Sequence, residues 1–291
     1  MEHEAPSNVL KRLLLQEVAL LYKRDGRRWK EPIVETLRDL QKSEVQAVFF
    51  GGTLRSLLAG RIIDGRPGRP RDVDIVVSGA SLEALRERFG EFIARETRFG
   101  GLQLRRHDWQ LDVWPLGLTW AFVREPDTEP AFAALPSTTF FNMEAIAVEA
   151  WPKPGRSREI FSGNDQFFEG ILTWTLEINR EENPYPDLCV LRTLIMSAEH
   201  GFKIGPGLAR YVVRHGANMT AEELDDLQMK HYGHMRMRGR TLRTWIESII
   251  ETQARDATTP IRLPFARQLQ QLQFWPESKE AMHIRVHALS K

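Results

Sequence analysis

Phe49-Phe50-Gly51-Gly52-Thr53-Leu54-Arg55 runs an apolar segment into two glycines, and Arg71-Asp72-Val73-Asp74-Ile75-Val76-Val77 opens a second one with two aspartates at i and i+2. Side chains alternate between the faces of a strand, so Asp72 and Asp74 point the same way, about 6–7 Å apart. Two carboxylates on one face repel each other unless a cation lies between them. A glycine turn can bring backbone N–H groups and a helix N-terminus against an anion. A cation cage beside a phosphate cradle equips a metal-dependent enzyme acting on nucleoside triphosphates. A lone Gly-Gly is ordinary turn punctuation, and a lone Asp-x-Asp ordinarily caps an element or faces solvent. The reading therefore rests on the two motifs together, in this order.

A third carboxylate, Asp112, sits in Leu111-Asp112-Val113-Trp114, an apolar run after the turn-like His107-Asp108. This run reads as the second arm of a hairpin with Leu102–Arg106, placed to present Asp112 to the neighbouring strand's active face. The expected site holds two Mg²⁺ ions on Asp72, Asp74 and Asp112, because hard cations prefer carboxylate and phosphate oxygens. The Thr53 hydroxyl and the Gly51 and Gly52 N–H groups would face the β- and γ-phosphates of the NTP. Arg55, on the first turn of the following helix, would either reach a phosphate or pin the helix to a carboxylate.

The elements that position these residues follow from hydrophobic spacing. Helices are expected over 8–24 and 32–42, then a strand at Gln46–Phe50, a helix over 53–59 and a strand over 73–77. A helix over 81–96 capped by Ser81 comes next, and then the hairpin over 99–114. The Gly/Pro/Arg-rich stretch 61–71 is a loop by composition. Past Trp151-Pro152-Lys153-Pro154-Gly155 strand signals fade, and helical patterns cover 188–200, 208–215, 221–230, 242–253 and 265–272. The expected class is α+β, with a mixed-sheet domain over 1–180 and an all-helical domain over 181–291.

The order Gly-Gly-x-Leu-Arg, Asp-Val-Asp-Ile-Val, then a lone Asp on a later strand resembles the head of poly(A) polymerases and tRNA CCA-adding enzymes, in the DNA polymerase beta-like nucleotidyltransferase superfamily. Phe140-Phe141-Asn142-Met143-Glu144-Ala145-Ile146-Ala147 looks like that family's Asp-Phe-Thr-Ile-Asn-Ala-Ile-Ala segment, and residues 191–202 look like the start of its neck. The resemblance covers residues of about 45 to 205. It implies transfer of a nucleoside monophosphate from an NTP to an acceptor hydroxyl, with an RNA 3′ end, that of tRNA among the candidates, as the acceptor. The departures are specific. Thr138-Thr139-Phe140 stands where the family carries Arg-Arg-Asp, and Ser56 stands where it has Asp or Asn. Tyr185-Pro186-Asp187-Leu188-Cys189 stands where the neck carries its base-reading Glu-Asp-x-x-Arg. The transfer chemistry is expected to persist while nucleotide preference has diverged. Within the same chemistry the acceptor can be a protein side chain or a small hydroxylated molecule. A catalytically silent relative serving as a scaffold is the alternative of another class.

The chain has 291 residues, 42% of them hydrophobic, and a net charge of +1, so nucleic acid must be attracted by local patches rather than by a global field. One such patch is the basic run from Lys230 to Arg243, with Arg236, Arg238 and Arg240 as candidate RNA contacts beside Tyr232 and two histidines. Arg61, Arg66, Arg69 and Arg71 form a second cluster closer to the aspartates. A single cysteine, Cys189, in an apolar helical pattern reads as a buried thiol in a reducing compartment. No apolar run approaches the ~20 residues of a membrane span, and Met1-Glu2-His3-Glu4 lacks a signal-peptide pattern. A cytoplasmic protein without a membrane partner is expected.

Overall fold

A computed structural model describes residues 4–22, 30–65, 68–97, 99–107 and 109–264. Two compact units divide the chain. Among the described residues, one comprises those up to 139 together with 143–169, and the other 140–142 and 170–264.

The first unit opens with α1 (Pro6–Leu21) and α2 (Glu31–Gln41), each with a proline at its start, where no N–H is needed. Then come β1 (Gln46–Phe50), α3 (Gly52–Asp64), β2 (Val73–Ser78), α4 (Leu82–Phe89), β3 (Ile93–Glu96), β4 (Leu102–Arg106), β5 (Trp109–Pro115), α5 (Trp120–Arg124), β6 (Ala147–Glu149) and β7 (Ile160–Phe161). Among the described residues these strands form one seven-stranded sheet in the order β3-β4-β5-β2-β1-β6-β7. Every neighbouring pair is antiparallel except β2–β5, which is parallel.

Alternation gives the sheet two different faces. Val73, Ile75, Val77, Leu111 and Val113 are fully buried on one, as is Phe49 of β1, which pairs with Ile75. The other face is covered only at one end, where Val48, Val76, Leu116, Phe122, Leu135 and Ala147 form a smaller core beside Phe50 and Trp114. The opposite end of that face carries the polar residues of β2, β4 and β5.

The helix expected over 81–96 is shorter. Ser81 caps α4 as expected, accepting the Ala84 N–H at 3.2 Å, but the α-helix stops at Phe89. Gly90 opens a single 3₁₀ turn, and Ile93–Glu96 pairs with β4 at the sheet edge. The helical period runs on through the sequence, but a β-branched residue after a glycine finds a better partner in the sheet.

The second unit contains the C-terminal half of α6 (Gln166–Thr173), a parallel bridge between β8 (Thr175–Leu176) and β9 (Lys203–Ile204), and four helices: α7 (Pro186–His200), α8 (Pro206–Gly216), α9 (Ala221–Tyr232) and α10 (Gly239–Arg255). Glu177 caps α8, accepting the N–H groups of Gly207 (2.9 Å) and Leu208 (2.6 Å). Thr220 and Glu223 form a reciprocal capping box at the start of α9. Cys189 is buried in α7. The helix expected over 265–272 lies outside the described residues. No helix among the described residues is long and apolar enough to cross a membrane.

Candidate active site

Asp74 of β2 stands directly opposite Asp112 of β5 in the parallel register, so their side chains leave the same face one strand spacing apart, about 4.8 Å. Asp72, two residues before Asp74, shares that face. The three carboxylates therefore gather on the open end of the sheet. Burial raises the Asp74 carboxyl well above its ordinary range, and the charges of Asp72, Asp112 and Glu144 push it further, against a smaller lowering by Arg71. Asp112 is also raised, by burial first and then Asp72, while a hydrogen bond from Gln103 and the charges of Arg95 and Arg71 lower it. Gln103 Nε2 donates to Asp112 Oδ1 at 3.0 Å, and Arg71 Nη2 donates to Asp72 Oδ2 at 2.6 Å.

The glycine turn stands beside them. Gly51 has φ +60° and ψ −123°, a conformation natural only to glycine, and its carbonyl accepts the Leu54 and Arg55 N–H groups to start α3. Its own N–H donates to the Ile146 carbonyl at 3.0 Å, so the expected Gly51 donor to a phosphate is committed within the fold. The N–H groups of Gly52 and Thr53 open the helix and have no preceding helical carbonyl to bond. The Thr53 side chain departs from expectation too. It is 1% exposed, and its hydroxyl accepts the Asp74 N–H (3.0 Å) and points to the Asp72 carbonyl (3.5 Å). Rather than facing a phosphate, it ties the first turn of α3 to the strand that carries both aspartates.

Arg55, with two readings from sequence, takes the second. Its Nη1 lies 2.8 Å from Glu144 Oε1, with both side chains nearly buried. Glu144 stands where the resembling segment carries Asn, and its charge bears on Asp74. Neither Glu144 nor Gln103 was among the expected site residues. Gln103 is reachable from sequence by counting across the hairpin, since Arg106 opposite Trp109 puts Gln103 opposite Asp112. Glu144 carries no comparable signal, because its partner lies 89 positions away.

The arginines of the 61–71 stretch do not assemble into one cluster. Arg61 faces the buried Glu17 of α1 at 3.5 Å, and Arg69 lies 4.4 Å over the Trp109 ring, on the far face of the sheet. Arg71 alone reaches the carboxylates, and Arg66 lies outside the described residues. In the second unit, the basic run is held firmly by α9. Gln228 accepts the N–H groups of Arg236 and Met237 at 3.0 Å, and Asp225 accepts that of Gly239 at 2.7 Å. Arg236 pairs with Glu199 at 3.0 Å and lies over the Tyr232 ring, whereas Arg238 and Arg240 are exposed. Arg243 is structural, its Nη1 donating to the Ala217 carbonyl at 2.6 Å and to that of Met219 at 3.1 Å.

Among the described residues no three His, Cys, Asp or Glu side chains are drawn together as ligands of a single ion. The donor chemistry nonetheless suits a hard divalent cation: oxygen donors only, and a raised Asp74 carboxyl whose neighbours leave negative charge uncompensated.

A seven-stranded mixed sheet with flanking helices, followed in the chain by a helical region, is a fold shared with solved CCA-adding enzymes. Among solved structures, a CCA-adding enzyme in complex with CTP is similar at a TM-score of 0.53 and 17% identity, over 84% of this chain and 54% of that one. An apo CCA-adding enzyme gives 0.51 and 15%, over 81% and 52%. The Thermotoga maritima CCA-adding enzyme complexed with tRNA gives 0.50 and 16%, over 84% and 53%. The chain thus spans about half the length of these structures, and at such identity the likeness is one of fold. No family model and no curated protein matches the sequence.

Proposed function

We propose that the protein is a nucleotidyltransferase that moves a nucleoside monophosphate from an NTP to an acceptor hydroxyl at an RNA 3′ end, releasing pyrophosphate. The observation that carries this reading is the register placing Asp112 beside Asp74, with Asp72 on the same face and the open N-terminus of α3 next to them. The N–H groups of Gly52 and Thr53 would receive triphosphate oxygens at the positive end of the α3 dipole. Asp72, Asp74 and Asp112 would hold Mg²⁺, which, when bound, neutralises phosphate charge and acidifies the acceptor hydroxyl. Gln103 fixes Asp112 by one oxygen, leaving the other to orient the acceptor O–H and receive its proton. The acceptor oxygen bonds to the α-phosphorus as the bond to the β-phosphate bridging oxygen breaks. Exposed Arg238 and Arg240 are the members of the basic run that would meet an RNA backbone.

Incubation of the protein with each α-labelled NTP, Mg²⁺ and total cellular RNA or protein tests the reading, beside the Asp72→Asn/Asp74→Asn variant. Label on RNA 3′ ends that the variant fails to add is expected. Label on protein would reassign the acceptor, and no label with any NTP would overturn transfer altogether.

A further inference from the structure

The row containing Asp74 and Asp112 continues past the carboxylates. Gln103 of β4 stands opposite Asp112, and Arg95 of β3 stands opposite Gln103. Four successive strands thus carry Arg95, Gln103, Asp112 and Asp74 side by side on one face, so Arg95 begins about 10 Å from Asp112 at ~4.8 Å per strand. Arg105, two residues after Gln103, leaves the same face opposite Gln110. Both Arg95 and Arg105 are exposed, and neither forms an ion pair among the described residues. Arg95 is still near enough for its charge to bear on Asp112.

From this juxtaposition we infer that the open face of β3, β4 and β5 is the platform on which a single-stranded polynucleotide acceptor lies, Arg95 and Arg105 holding its phosphates while its 3′ end reaches Asp112. The inference rests on the transfer reading for the direction in which the strand lies. Charge order supports the occupant. An anionic polymer is repelled by the three carboxylates and attracted by the two arginines outboard of them, so only its terminal hydroxyl is brought to the acids. Half-buried Gln110 adds an amide donor and acceptor between the two charge zones, suited to a sugar hydroxyl or base edge, while Gln103 stays committed to Asp112. An acidic peptide would find the arginines but no reason for the amides and carboxylates beside them.

The test is binding of a fluorescein-labelled single-stranded oligoribonucleotide, followed by anisotropy across a salt series, to the full chain and to Arg95→Ala/Arg105→Ala. Both positions are exposed, and Arg95→Lys/Arg105→Lys controls for charge. The alanine pair is expected to weaken binding roughly tenfold or more, with the log–log salt slope falling by about 0.7 for each arginine lost. The lysine pair should keep the slope. Unchanged affinity and slope in the alanine pair would overturn the platform, as would binding of poly-glutamate but not of the oligonucleotide. Stabilisation by NTP and Mg²⁺, measured on the same proteins, reports on the transfer reading separately. A chain that shows no such stabilisation but loses oligonucleotide binding with the two arginines would refute transfer and leave the platform standing.

Discussion

Asp74 is held at a cost to the fold. Its raised carboxyl means that folding favours the protonated form over the charged one relative to the unfolded chain, so that contribution is complete below the usual carboxylate range. It is lost as pH rises through the elevated native value. Asp74→Asn should therefore melt higher than the natural protein at neutral pH, by roughly 2–4 °C for each kcal/mol of repulsion relieved, while losing turnover. The gap should close on acidification. Thermal melts across pH 3–8 (about the span of carboxylate titration) check both signs. Thr53→Val should act differently. It strips the Asp74 N–H of its acceptor at a cost of about 1–3 kcal/mol, and moves kcat more than the KM for NTP, since the backbone N–H groups of α3 remain. Denaturant melts and steady-state kinetics read the two effects. The shared face of the aspartates and the bend at the glycines were legible because strand alternation and glycine stereochemistry operate within a few residues. The direction of the Thr53 hydroxyl was not, because it depends on a strand that begins twenty positions later.

Between elements, the Arg55–Glu144 pair joins α3 to the segment leading into β6 and stands against Asp74. Arg55→Met leaves Glu144 nearly buried beside a carboxylate, a change costing about 3–5 kcal/mol. Arg55→Met/Glu144→Met should recover much of that loss, and equilibrium unfolding of the two variants separates repair of charge from loss of packing. At the α9–α10 junction, a Cβ on Gly239 would collide with the Ala221 carbonyl oxygen, so Gly239→Ala must shift the start of α10. About 1–3 kcal/mol of destabilisation is expected, read by the same measurement. Helices α7 to α10 were visible in the sequence because their apolar spacing is regular and their ends are marked by Gly201, Pro206, Thr220 and Gly233. The 81–96 segment misled because a helical period outlasts the helix where an edge strand competes for the chain. The basic cluster over 61–71 dissolved for a related reason. The expected loop over 61–71 begins only past Asp64, so Arg61 belongs to α3 and faces Glu17, while Arg69 lies over Trp109.

Over the whole chain, a net charge of +1 supplies almost no long-range pull on a polyanion, so affinity for RNA should be modest and steeply salt-dependent. The triphosphate should make the larger mark on stability. At a hundred times its Kd, with Mg²⁺ present, it adds about 2.7 kcal/mol, and the Asp72→Asn/Asp74→Asn variant should show little of that shift in a thermal scan. The face carrying the acids was legible from strand alternation. What the sequence did not supply at this scale was the cover on that same face, the smaller core of Val48, Val76, Leu116, Phe122, Leu135 and Ala147, whose members come from segments far apart in the chain.

The single parallel pairing, β2 with β5, has a kinetic consequence. Neighbours joined in that sense need a long crossover, here α4, β3 and β4, so Asp74 and Asp112 become adjacent only after the intervening chain has closed its loop. Local helices and the β4–β5 hairpin can form without it. A refolding chain should accordingly regain its far-ultraviolet signal before it regains any ability to turn over, with catalytic competence arriving last, as the crossover docks.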